Sequence, residues 1–165
     1  MSRLIRIIIT IIKVDVVIDN NKWKKKIKRA NFFFNKILRF FPKKYKFEKK
    51  KILFSLSLSD NQKIRKLSKK FRKKNKPTDV LSFPYNDKVG KNKFYLGDII
   101  ISYNYMNQPK NISNLNFKNK VVKIFIHGFL HLLGFDHKKN SDFNKMQREE
   151  NKLFNLLEKK IEKII

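Results

Sequence analysis

The stretch from Ile124 to His137, IFIHGFLHLLGFDH, constrains this chain more than any other. Ile124, Phe125, Ile126, Phe129, Leu130, Leu132 and Leu133 leave no polar face, so a helix here has to be buried. The same stretch nevertheless carries all 3 histidines of the 165-residue chain, His127, His131 and His137. On a helix, residues four apart lie one turn above each other on one face, so His127 and His131 can aim imidazole nitrogens at one point. Gly134 follows three residues later, and glycine readily takes the left-handed conformation that ends a helix. The chain can then fold back and bring His137 to the same point from another direction. Three protein ligands with an open fourth position are the arrangement of catalytic zinc, whereas structural zinc has four, often cysteines. The chain has no cysteine, and one Zn2+ per chain is expected on His127, His131 and His137.

A histidine on a buried helix is more often a hydrogen-bonded core residue than a ligand, and one alone would mean nothing. Three at i, i+4 and i+10 with glycine at i+7 reproduce the long zinc-protease spacing H-E-x-x-H-x-x-G-x-x-H, apart from one position. That position is the general-base glutamate of the protease, and here it is Gly128. A peptidase reading therefore loses its base.

The rest of the chain sets the setting for such a site. Its length suits one domain, 1–165, that buries about two-thirds of the surface its unfolded form exposes. The absence of cysteine excludes disulfides and fits a reducing, cytoplasmic location. Residues 1–18 are apolar-rich, but Arg3, Arg6, Lys13 and Asp15 interrupt them, which excludes a membrane span, and no small-residue cleavage site marks a signal peptide. The 41 Lys+Arg against 13 Asp+Glu give a formal charge of +28, which attracts polyanions, nucleic acid first among them. Two causes fit it: selection for such binding, or a compositional bias towards Lys, Asn, Ile and Phe.

In chain order, residues 1–13 read as an extension or as the start of a strand at 14–18. Trp23, Ile27, Ala30, Phe34, Ile37, Leu38 and Phe41 recur at helical spacing from about 20 to 41, and a lysine run at 43–51 reads as a solvated connection. Residues 52–58 alternate as a strand. Ser59-Asp60-Asn61-Gln62 has the form of a capping box opening a helix with Ile64, Leu67 and Phe71 on one stripe and Arg72 at its end. Strands at 78–84 and 94–102, joined by a polar loop at 86–93, suggest a hairpin. A loop or broken helix at 103–120 precedes the histidine helix, expected from about 120 to 133. A last helix opened by Ser141-Asp142 places Phe143, Met146, Leu153, Leu157, Ile161 and Ile164 at helical intervals.

Three blocks in order carry a resemblance: FRKKNKPTDVLSFP at 71–84, LGDIIIS at 96–102 and the histidine block at 127–137. The chain resembles the YbeY single-strand-specific endoribonucleases, ribosomal RNA maturation factors of bacteria, over most of its length. The resemblance implies an α+β fold, a small mixed sheet of about four strands with helices mainly on one face and the metal at one end of a cleft. It puts the zinc ligands on His127, His131 and His137 and the important basic residue of the cleft on Arg72. The family often has asparagine where Ser68 stands, tyrosine at Phe135 and an acidic residue at Lys120. The residues expected to act in catalysis are Arg72, whose planar guanidinium suits a phosphate, and His127. Asp136 is a candidate base or a partner that fixes an imidazole tautomer, and Asp79 and Asp98 read equally as turn or capping residues. The implied function is zinc-dependent cleavage of single-stranded RNA in ribosomal RNA maturation, including the 16S 3′ end, and in ribosome quality control, with the small subunit and its assembly factors as partners. The alternative is an RNA-binding assembly factor with structural zinc and little or no nuclease activity.

Overall fold

Alternation of apolar and polar side chains builds the sheet. In a computed structural model, in which residues 11–45, 50–137 and 139–164 are described, strands β1 (Ile11–Ile18) and β2 (Lys51–Ser59) run parallel, and β2 pairs in parallel with β4 (Lys93–Ser102). Strand β3 (Val80–Gly90) pairs antiparallel with β4, giving the order β1-β2-β4-β3. Ile52, Phe54, Leu56 and Leu58 of β2 face one side and are buried, while Leu53, Ser55 and Ser57 face the other half-exposed; a strand points successive residues to opposite faces.

Helices α1 (Lys22–Lys26), α2 (Ala30–Arg39), α5 (Asn114–Leu132) and α6 (Asn140–Ile161) cover the first face, where one apolar cluster joins them to β1, β2 and β4. Helix α3 (Asn61–Arg72) lies on the other, where Ile64 packs with Leu81 and Ile100. The expected α+β architecture, a mixed four-stranded sheet with most helices on one side, is what the chain adopts. Helix α5 is clamped by rings: Phe125 meets Phe34 at 5.0 Å, and Phe129 meets Phe41 at 5.3 Å and Phe54 at 5.5 Å between centroids. Burying each such side chain stabilises by about 1.5–3 kcal/mol, so the helix that carries the histidines is held firmly.

Four sequence expectations change. The single helix expected over 20–41 breaks at 27–29, with Ile27 at φ −133° and Arg29 at φ −120°. Two anchors lying apart explain the break. Trp23 donates through Nε1 to the Ser59 carbonyl at 2.8 Å, whereas Asn35 of α2 pairs with both backbone groups of Val14 on the edge strand β1. The loop expected at 103–120 holds the short helix α4 (Tyr103–Met106) and the start of α5, six residues earlier than expected, because the Ser113 side chain accepts from the Asn116 N–H as an N-cap. Lys120 donates to the carbonyls of Tyr105 and Gln108 and ties α5 to that connection. The polar loop expected at 86–93 is mostly strand, since the hairpin arms pair through backbone while both faces stay exposed and so leave no apolar alternation to read. Residues 1–10 lie outside the described residues, and 11–13 belong to β1. At the start of α3 the cap is Asp60 rather than Ser59: its carboxylate accepts from the Lys63 N–H at 3.1 Å.

Candidate metal centre

The last turns of α5 and the loop after it form the site. Gly134 has φ +89°, its N–H donates to the His131 carbonyl and the Phe135 N–H to the Leu130 carbonyl, both at 3.0 Å. This pair of bonds closes the helix with a glycine in the left-handed region and reverses the chain. His137 thereby returns beside the helix, its ring centroid 5.0 Å from that of His131 and 5.7 Å from that of His127. The three side chains each offer a nitrogen within 4.8 Å of the others, so the group could hold a metal ion.

The other ring nitrogens show how well the group fits a cation. His127 Nδ1 faces the Glu150 carboxylate from α6, and His131 Nδ1 lies 2.9 Å from the Phe135 carbonyl oxygen. Both partners are acceptors, so each Nδ1 is held as a donor, and in the neutral tautomer that binds metal each Nε2 presents its lone pair. Those two Nε2 atoms stand 3.0 Å apart. Two lone pairs at that separation repel unless a cation lies between them, and ligands of a tetrahedral zinc at about 2.0–2.1 Å come about 3.3 Å apart. Burial of its ring, then the neighbouring His127, hold the His131 pKa below the ordinary value, against the Phe135 carbonyl. His131 therefore stays neutral, the form that binds metal.

Gly128 sits where a zinc peptidase has its glutamate, and packing explains why no side chain stands there. A Cβ at Gly128 would come 2.8 Å from Ile99 Cγ2 on β4 and 3.1 Å from Ser82 Oγ on β3. Glycine lets α5 press directly onto the sheet, so the excluded base is a consequence of the fold.

A cleft of about 850 Å³ opens from the histidines. It is lined on one side by His127, His131 and the 134–137 loop, and on the other by Phe71 and Arg72 at the end of α3, by Thr78 and Asp79, and by residues 80–84 of β3. Arg72 is exposed and Lys73, at φ 56°, ends α3 in the left-handed conformation directly after it. Asp136 accepts the His137 N–H at 2.7 Å and so shapes the turn that presents His137. Asp79 accepts from its own neighbours, Thr78 Oγ1 and the Val80 N–H, and Asp98 accepts from Ser55 and Tyr95 on the sheet face opposite α5.

Glu150 is the residue that sequence reasoning missed. A signal existed: it falls four residues after Met146 and three before Leu153, both buried, so one of only 13 acidic side chains lies on the apolar stripe of α6. Phe143, expected on that stripe, is 48% exposed.

The profile of the family described as Endoribonuclease YbeY matches residues 17–158. The chain is 61% identical to the Endoribonuclease YbeY of Pelagibacter ubique over 151 residues, 91% of this chain and 99% of that one. It is 31% identical to that of Neorickettsia sennetsu over 145 residues, covering 87% and 96%. The solution structure of a Thermotoga maritima protein, 20% identical, superposes with a TM-score of 0.50 over 89% of each chain and shares the fold.

Proposed function

Since the chain belongs to the YbeY endoribonuclease family, we propose that it is a zinc-dependent, single-strand-specific endoribonuclease that matures ribosomal RNA, the 16S 3′ end included, and serves ribosome quality control. The observation that carries the reading is the pair of Nε2 lone pairs turned to one point beside His137, in a cleft that also holds Arg72. His127, His131 and His137 would hold the zinc, which would supply positive charge beside the phosphoryl group and the means to acidify water.

The chain's own residues do the rest. Glu150 and the Phe135 carbonyl fix the rings of His127 and His131, so the ligand set needs no reorganisation when substrate arrives. Arg72 grips the phosphate at or next to the cut with two parallel N–H donors and places it against the histidines. Lysines spread over the surface draw the RNA in, and the small ribosomal subunit with its assembly factors is the proposed partner in the cytoplasm. No helix among the described residues is long and apolar enough to cross a membrane. Gly128 leaves no room for a peptidase base, which favours phosphodiester over peptide chemistry.

The test is cleavage of single-stranded RNA by wild type and His131→Ala, each with and without chelator, alongside metal analysis. Wild type is expected to hold about one zinc and to lose cleavage with chelator, as a carboxylate-oriented set of three histidines implies; His131→Ala is expected to lose both. A folded His131→Ala protein that still cleaves, or that restores ribosomal RNA ends in a depleted cell, overturns the nuclease reading.

A further inference from the structure

By its helical period Phe71 belongs to the apolar stripe of α3, yet the stripe climbs out of the core. Ile64 is fully buried, Leu67 half-buried, and Phe71 57% exposed. An exposed phenylalanine is costly to solvate, and this one stands beside Arg72 on the wall of the metal cleft. Its ring meets that of Phe83 on β3 at 5.2 Å and an interplanar angle of 64°. An edge-to-face contact occupies at most one face of one ring, and the other group over the Phe71 ring is the exposed, displaceable Lys70 side chain, so a stacking partner meets no packed residue there. Phe83 is half-buried on the strand and packs against the Ile64 cluster, so it braces Phe71 from behind. Both rings also line an adjoining hollow of about 190 Å³ that leads to Tyr85, itself 57% exposed. Cations crowd this end of the helix: Lys70 Nζ lies 5.2 Å from the Phe71 centroid, and Lys69, Arg72, Lys73 and Lys74, all exposed, flank Phe71 in sequence.

Aromatic faces interleaved with cations, continuous with a centre for phosphodiester chemistry, match one occupant: the unpaired bases of a nucleic acid strand, whose π-faces stack while its phosphates meet the cations. We infer that Phe71, braced by Phe83, stacks a base of the RNA next to the nucleotide whose phosphate Arg72 holds, and that this contact is what selects single strands. This rests on the nuclease reading and deepens it. Duplex RNA keeps its bases stacked on each other and offers Phe71 no free face, so it gains only the phosphate contacts.

The test is a cycle between protein and RNA on the zinc-loaded full chain. A short single-stranded oligoribonucleotide carries 2-aminopurine, or an abasic site, at each position in turn. Fluorescence and Kd are read by stopped flow before turnover, for wild type, Phe71→Leu and Phe71→Trp. Phe71 is outside the buried core, so both variants are expected to fold, and their melting curves are recorded alongside. One register should show quenched 2-aminopurine. Removing that base should weaken wild type and Phe71→Trp by roughly 5- to 150-fold and Phe71→Leu hardly at all. That ratio should persist as salt rises while overall affinity falls, because stacking is not screened and phosphate contacts are. Duplex binding should be the same in all three proteins. An abasic penalty equal in wild type and Phe71→Leu, or the absence of any favoured register, overturns the inference and leaves Phe71 as a face for a protein partner. Cleavage of unmodified RNA by wild type, run in parallel, separates the two levels: cleavage with a flat cycle sinks the stacking alone, while an intact cycle without cleavage sinks the nuclease reading alone.

Discussion

Helices α5 and α3 both end at the cleft, and they deliver their functional residues in opposite ways. The final turns of α5 are packed among Phe41, Phe54 and the sheet, and both of its histidines have a partner on the nitrogen that faces away from the cluster. Helix α3 is held to the sheet through Ile64, Leu67, the buried Ser68 and the Phe71–Phe83 contact, and at its end both Phe71 and Arg72 stand in solvent. A metal site gains from rigidity, since its ligands must hold one geometry before the ion arrives. A wall proposed to accept a flexible strand gains from side chains that stand where a ligand can reach them. One cleft thus combines a buried, fixed side with an open one.

The sharpest way to break this contrast is charge reversal on the open side. Arg72→Glu is expected to lower kcat/KM for single-stranded RNA on the order of 100-fold, since a paired guanidinium–phosphate contact becomes a repulsion. Zinc content and melting temperature should stay at wild-type values, and Lys159→Glu, on the exposed side of α6, should cost far less. Equal losses in the two variants would show that net charge, not a placed guanidinium, matters. On the fixed side, Glu150→Gln is expected to weaken zinc affinity by about 10- to 100-fold, because it removes the carboxylate that orients His127. RNA binding by zinc-saturated protein should be unchanged, and competition with a chromophoric chelator measures the first quantity.

Gly128→Ala probes the packing under the fixed side. Its methyl would sit 2.8 Å from Ile99 Cγ2, and forcing that contact is expected to destabilise by about 1–3 kcal/mol in denaturant melts. An alanine that costs nothing would mean that α5 is free to shift. The smallest effect lies away from the cleft, where Lys44 Nζ at 2.6 Å, then Tyr45, hold the Glu149 carboxyl down at about 2 from its ordinary 4.5. A carboxylate with a depressed folded pKa contributes stability that is complete above about pH 4.5 and disappears as pH falls towards 2. Because Lys44 is exposed, the contribution is at most about 1 kcal/mol. Glu149→Gln should flatten the acid limb of the stability profile over that window and leave RNA cleavage at neutral pH alone.

The centre was legible in sequence because helical geometry is local. Four residues make one turn, so His127 and His131 share a face wherever the helix lies, and Gly134 closes it with bonds that span five residues at most. The alternation of β2 and the mixed sheet implied by the family blocks were readable for the same reason or by resemblance, whereas the cap of α3 fell one residue later than expected, on Asp60. Other features depend on where elements dock. Glu150 reaches His127 across 23 residues of sequence only because α6 lies along α5. The break at 27–29 follows from Trp23 and Asn35 anchoring to different strands. Gly128 reads in sequence only as a missing glutamate, and its requirement appears once Ile99 is found 2.8 Å from its would-be Cβ. Phe71 has the spacing of a core residue, and only the position of α3 over the edge of the cleft leaves it in solvent. The sequence by itself determined the histidine cluster, whose geometry is written in one helical period and one turn. The tertiary structure decided what orients those histidines and what faces them, because such contacts join residues whose separation along the chain carries no information about their separation in space.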